Sequence, residues 1–206
     1  MWLVDTSQSR ADHVEGLLCA IERDRAGRYK TDALRHRYTV THGILRKILR
    51  DLYGVPIDEQ EFSENEFGKP FLTCVPQLHF SISYSAGYAL IGVSKDGEIG
   101  VDIEAMRFIA DSDELAELHY TARERAEIQA NRPSEIELSR RFLSIWVKKE
   151  ACVKASGRGL DIPLDQLECG GADQVSLVQL PDRRLYSTGT IMVGGDPIVG
   201  WARNLV

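Results

Sequence analysis

The sequence predicts an α+β fold of two similar halves, each an antiparallel sheet of three or slightly more strands packed with helices. Helical periodicity followed by alternating strands occurs twice along the 206 residues, and the two runs join near Glu104 and Ala105. Two capping boxes and one Asp-Gly hairpin signal fix where helices start and where the chain turns back. The halves are therefore 1–104 and 105–206.

In the first half, residues 12–26 have helical spacing, and 31–53 form a longer helix with apolar Leu34, Tyr38, Ile44, Leu45, Ile48 and Leu49, ended by Gly54 and Pro56. LHFSISYS alternates like a half-buried strand. GYALIGVS and EIGVDIE are two more, joined by KDGE, so three consecutive strands are expected in one antiparallel sheet. In the second half, Thr121 with Glu124 and Ser134 with Glu137 each open a helix, the latter running to Gly157. VSLVQL, RRLYSTGTIMV and PIVGWAR then form a meander across Pro-Asp and Gly-Gly-Asp turns.

A chain that is 43% hydrophobic and 27% charged buries a substantial core. Its longest apolar runs, such as YALIGV, fall short of the roughly 18 residues a membrane helix needs, and MWLVDTSQSR has no basic-then-apolar leader pattern. Cys19, Cys74, Cys152 and Cys169 lack CxxC spacing, which disfavours a zinc site or a disulfide framework and fits a reducing cytoplasm. The net charge of −6 disfavours a nucleic-acid partner. Nine Lys or Arg between Arg23 and Arg50 nevertheless stand against Asp24 and Asp32 alone, which is either a small anion pocket or a solvated helix face. His13, His36, His42, His79 and His119 show no metal-ligand spacing, and neither a GxxxxGK[ST] loop nor a Rossmann fingerprint is present.

Chemistry concentrates in two places. In IGVDIE, Asp102 and Glu104 share one face of a strand with Cα atoms about 7 Å apart. Their repulsion raises one pKa unless water, a basic group or a cation intervenes, and an oxygen-only pair suits Mg²⁺; two solvated acids at a strand end is the plain alternative. In FLSIWVKKEACVK, Trp146, Glu150 and Lys154 stack at i, i+4, i+8 on one helix face. By frequency alone, Glu150 and Lys154 are an ordinary surface pair.

IGVDIE, then WVKKEACVK matching W-x-x-K-E-x-x-x-K some forty residues on, then GRGL with a following Pro and Leu, together resemble the Sfp-type 4'-phosphopantetheinyl transferases. FGKP (Phe67 to Pro70) and HFSISYSAGYALIG extend the resemblance upstream, and it covers most of residues 23–167 in order.

The resemblance implies transfer of the phosphopantetheine arm of coenzyme A to a serine of an apo acyl or peptidyl carrier protein, releasing adenosine 3',5'-bisphosphate. It implies Mg²⁺ held by Asp102, Glu104 and Glu150, Lys154 on the transferred phosphate, and Glu150, or a metal-held water beside it, as the base. It places Arg25, Arg37, Lys69, Ser83 and Tyr84 around the nucleotide phosphates, with Arg28 or Arg35 as substitutes for either arginine, and leaves Lys149 either solvated or reaching coenzyme A. Where many relatives carry Ser-His-Ser, this chain has Ser83-Tyr84-Ser85; a phenol donates one hydrogen bond without charge, so either the phosphate contact weakens or the replacement is neutral. A cytoplasmic monomer with no membrane partner is implied, with Leu115, Leu118, His119, Tyr120, Arg123 and Arg125 near 105–125 forming either a carrier dock or an ordinary half-buried helix. A Mg²⁺-dependent phosphohydrolase of a nucleotide pyrophosphate and a non-catalytic coenzyme A binding module stay open as alternatives.

Overall fold

The computed structural model describes residues 1–131 and 133–205, so Arg132 and Val206 of the second half lie outside the described residues. Strand β1 (Trp2–Asp5) is followed by α1 (Ala20–Gly27) and α2 (Asp32–Tyr53), then β2 (Phe62–Glu64), β3 (Pro70–Leu72), β4 (His79–Ser85), β5 (Tyr88–Ser94) and β6 (Ile99–Glu104). Helices α3 (Ser112–His119), α4 (Ala122–Gln129) and α5 (Glu135–Ser156) precede β7 (Ser176–Gln179), β8 (Leu185–Met192) and β9 (Ile198–Asn204). The architecture is α+β, with antiparallel sheets ordered β1-β5-β4, β2-β3 and β6-β9-β8-β7.

Local chemistry accounts for the long helices. Thr31 accepts the Leu34 amide and Gly54 closes α2 at φ 71°; Ser134 accepts the Glu137 amide and Gly157 closes α5 at φ 70°, the left-handed stop that glycine takes without strain. The Thr121 box closes in both directions, whereas Glu137 turns to Arg140 and Arg141 instead of back to its cap.

Three expectations are corrected. The 12–26 helix is two short 3₁₀ turns followed by α1, because Leu18 is extended and Val14 is packed against Gly43 of α2, where a Cβ would lie 2.6 Å from Val14 Cβ. β1 adds an unexpected strand alongside β5. Most important for the site, β6 does not continue the first sheet. Ile99, Val101 and Ile103 pack face-on against Leu90 of β5 instead of pairing beside it, and β6 pairs with β9. Alternation alone is the same in either arrangement.

The first core joins Val40, Leu45, Ile48 and Leu49 of α2 to Phe80, Ala89, Ile91 and Val93. The second sets α5 on the four-stranded sheet through Ala151, Cys152 and Ala155 against Tyr186 and Ala202. That approach is so close that a Cβ on Gly100 would stand 1.9 Å from the Ala151 carbonyl, and one on Gly200 2.3 Å from that of Val147. Two glycines thus let the helix backbone touch the sheet. Among the described residues no helix is long and apolar enough to cross a membrane.

Candidate active site

Strand alternation places Val101 and Ile103 in the sheet junction and turns Gly100, Asp102 and Glu104 to the other face, where α5 lies. The backbone edge of β6 lies here over the face of β4 and β5, with no backbone ladder between the two sheets. Side chains bridge them: Ser81 Oγ accepts the Val101 amide at 3.1 Å, Ser83 Oγ donates to Asp102 Oδ1 at 2.6 Å, and Ser85 Oγ accepts the Ala105 amide at 2.9 Å. The alternating serines of HFSISYS are thus a zipper between sheets, a role their spacing permits but does not announce.

Across from this strand, Lys154 Nζ lies 2.5 Å from Asp102 Oδ1 and donates to Ser83 Oγ at 2.9 Å. Lys154 therefore pairs with the strand acid instead of with Glu150. Burial raises the Asp102 pKa, against the pull of Lys154 and Ser83, and the charge of Glu104 adds to the rise. Burial likewise raises Glu150, with Asp102 and then Glu104 pushing the same way; only the field of Lys154 opposes them. Glu104 accepts from Arg107 Nη1 at 2.6 Å and, at 3.3 Å, from Ser85 Oγ.

These acids fit a hard divalent cation by type, since they are oxygen donors that repel one another and are only partly neutralised. With Lys154 on Asp102 and Arg107 on Glu104, however, no group of three acids, histidines or cysteines among the described residues converges closely enough to hold an ion.

Next to Lys154 opens a cleft of about 270 Å³, lined by Phe67, Lys69, Phe80, Ile82, Val153 and Gly157 among others. Lys69 comes from the loop between β2 and β3, where Asn65 Oδ1 accepts the Phe67 and Lys69 amides. Its ammonium donates to the Ala155 carbonyl at the end of α5 at 2.7 Å, and burial pushes its pKa down to about 8, Glu98 opposing and Arg184 assisting. Arg37 and Arg25 converge on Tyr84: the Arg37 guanidinium lies 4.9 Å from its ring centroid, and both arginines hold down a phenol that burial pushes up to about 12. Arg25 also stands 5.8 Å over the Tyr38 ring and 3.9 Å from Glu64. Most of the basic cluster, Arg25 included, is a solvated face; Arg37 is half-buried, and Arg46 is buried on Glu22.

Two expectations fail on burial. Lys149 is fully enclosed, 2.7 Å from Glu124 and donating to the Leu164 and Leu167 carbonyls, so it reaches neither solvent nor a ligand. One residue from Glu150 is about 100° around the helix, which aims this side chain into the protein. Lys148 is equally buried, on the Gly171 and Gln174 carbonyls. Tyr120 is buried with its hydroxyl on the Phe142 carbonyl, and leaves the expected dock to Leu115, Leu118, His119, Arg123 and Arg125. Trp146 stacks on Phe142 as packing.

Cations and partly buried acids gathered where two sheets meet, beside an open cleft, suit a site that binds an anionic group. Comparison with known proteins gives the kind of protein. Residues 98–187 match the family model of the 4'-phosphopantetheinyl transferase superfamily. The chain is 32% identical over 161 residues to the 4'-phosphopantetheinyl transferase ffp of Bacillus subtilis, covering 77% of this chain and 69% of that one. It is also 32% identical over 173 residues to the 4'-phosphopantetheinyl transferase HetI of Nostoc sp., covering 82% and 72%. Similarity to the 4'-phosphopantetheinyl transferase Sfp of Bacillus subtilis is 29% over 180 residues, covering 85% and 77%. The chain belongs to the 4'-phosphopantetheinyl transferase superfamily and is a transferase of that kind.

Proposed function

We propose that this transferase moves the 4'-phosphopantetheine arm of coenzyme A to a serine hydroxyl of an apo acyl or peptidyl carrier protein, with Mg²⁺, and releases adenosine 3',5'-bisphosphate. The observation that carries this reading is the Lys154–Asp102–Ser83 cluster, whose Lys154 lines the cleft, with Glu150 one helical turn from Lys154. Asp102, Glu104 and Glu150 would hold Mg²⁺. When bound, that ion offsets charge on the pyrophosphate and on the departing bisphosphate.

Lys154 binds the transferred phosphate and presents fixed positive charge where negative charge develops. The serine proton goes to Glu150 or to a water beside it. Arg25, Arg37 and Tyr84 orient the nucleotide phosphates, with Arg28 or Arg35 as substitutes. Lys69 lines the cleft beside α5, and Ser83, held on Asp102 and Lys154, meets the phosphates next to it. The halves 1–104 and 105–206 divide the work, nucleotide binding in the first and the transfer helix in the second. The exposed Leu115, Leu118 and Arg123 are offered to the carrier, and the enzyme works as a cytoplasmic monomer with neither nucleic-acid nor membrane partner.

The test is incubation of the purified chain with coenzyme A, MgCl₂ and a panel of apo carriers, read by intact-protein mass. One phosphopantetheine is gained on at least one carrier, and the gain is lost with Asp102→Ala and Glu150→Ala. Coenzyme A consumed with no carrier modified would overturn the reading in favour of hydrolysis.

A further inference from the structure

Within that reading, the acids do not stand empty. Asp102 holds Lys154, and Glu104 holds Arg107. The two cations differ in how firmly they are fixed. Lys154 is bound at both Asp102 and Ser83 and rises from a helix packed backbone-to-backbone on the sheet. Arg107 follows β6 on an irregular segment, with a side chain 51% exposed. Its second contact is a 3.3 Å hydrogen bond to the Ala105 carbonyl.

The backbone before it is pinned, by Ser85 on the Ala105 amide and Asp196 Oδ1 on the Met106 amide at 2.7 Å, so the guanidinium can move without the chain moving. Glu104 is the more accessible of the paired acids, with a side chain 21% exposed against 8% for Asp102.

We propose that Arg107 is a displaceable counter-ion of the acid cluster, occupying Glu104 until a divalent cation takes that carboxylate and frees the guanidinium. The idea rests on the metal reading above, and explains why acids of the right type are not gathered around one point. A guanidinium stays charged at any working pH, so the exchange is a competition between cations and not a titration. A hard divalent ion outcompetes it by offering shorter bonds to several oxygens at once, and an exposed ion pair is weak enough to be given up.

Calorimetric titration of the whole chain with MgCl₂ alone, at fixed ionic strength, tests this without any turnover. Arg107→Ala binds Mg²⁺ about two- to fivefold more tightly than wild type, the range set by an exposed ion pair. Arg107→Lys stays close to wild type, and Arg123→Ala, an exposed arginine on α4, changes nothing. An unchanged or weaker affinity in Arg107→Ala overturns the proposal while leaving the metal reading intact. Equal tightening in Arg123→Ala also overturns it, because the effect is then one of net charge. Absence of Mg²⁺ binding in both wild type and Arg107→Ala overturns the metal reading itself; binding only in Arg107→Ala supports the competition in its strongest form.

Discussion

Replacing Lys149 by Met leaves the Glu124 carboxylate buried without its cation, and replacing Lys154 by Met removes a charge from the cleft wall. The first variant loses about 3–5 kcal/mol in urea unfolding, the loss typical of breaking one side of a buried pair, while its folded fraction keeps the wild-type KM for coenzyme A. The second loses about 100-fold in kcat, the scale of one transition-state charge contact. If Lys149→Met raised KM tenfold without lowering stability, its assignment to the interior would be wrong. Glu150 supplies a second contrast. Its pKa is raised on folding, so its contribution favours the native state below the unfolded carboxylate value and is lost as pH rises through the folded one. In metal-free buffer, Glu150→Gln therefore melts higher than wild type at pH 7, with the gap closing towards pH 4, and it transfers nothing. A wild type that melts higher at pH 7 would contradict the electrostatics. The acid pair and the Glu150–Lys154 spacing were legible in the sequence because strand and helix periods determine which residues share a face. That Lys154 chooses Asp102, and that Arg107 takes Glu104, depends on distances between elements that no local pattern records.

At the level of elements, the site depends on how closely α5 lies on β6 and β9. Gly100→Ala puts a methyl group into the Ala151 carbonyl, whose oxygen belongs to helix backbone and cannot rotate aside. The helix must lift, which costs about 3 kcal/mol and draws Lys154 away from Asp102, so stability and transfer fall together. Gly16→Ala, where a Cβ meets nothing within 4 Å, serves as the control and keeps its activity. Full activity in Gly100→Ala would show that the contact is not needed. Both ends of α5 and the C-terminal end of α2 were readable in advance, through Ser134, Gly157 and Gly54, whereas Thr31, the cap of α2, was read as its first residue. The partner of β6 was not readable. Its alternating apolar residues meet Leu90 from one sheet while its backbone pairs in another, and the Asp-Gly turn before it serves either course.

Over the whole molecule, the edge strand β6 of one sheet is joined to the face of the other by serine side chains, with basic residues from the first sheet and acids with Lys154 at the seam. A substrate that spans this seam feels both ends separately. Arg37→Ala, beside Tyr84, raises KM for coenzyme A about tenfold with kcat little changed, the pattern of binding lost equally in ground and transition states. Steady-state kinetics check this, and a fall in kcat alone would refute it. The two-part α+β order was legible from composition and periodicity, whereas the seam arises only once both sheets exist. The claim on which the rest depends is that Asp102, Glu104 and Glu150 act as one ligand set. The most direct measurement is Mn²⁺ binding followed by electron paramagnetic resonance in wild type and in Asp102→Asn, Glu104→Gln and Glu150→Gln. Each single replacement is predicted to weaken binding by about tenfold or more, and an affinity that none of the three changes would contradict the account.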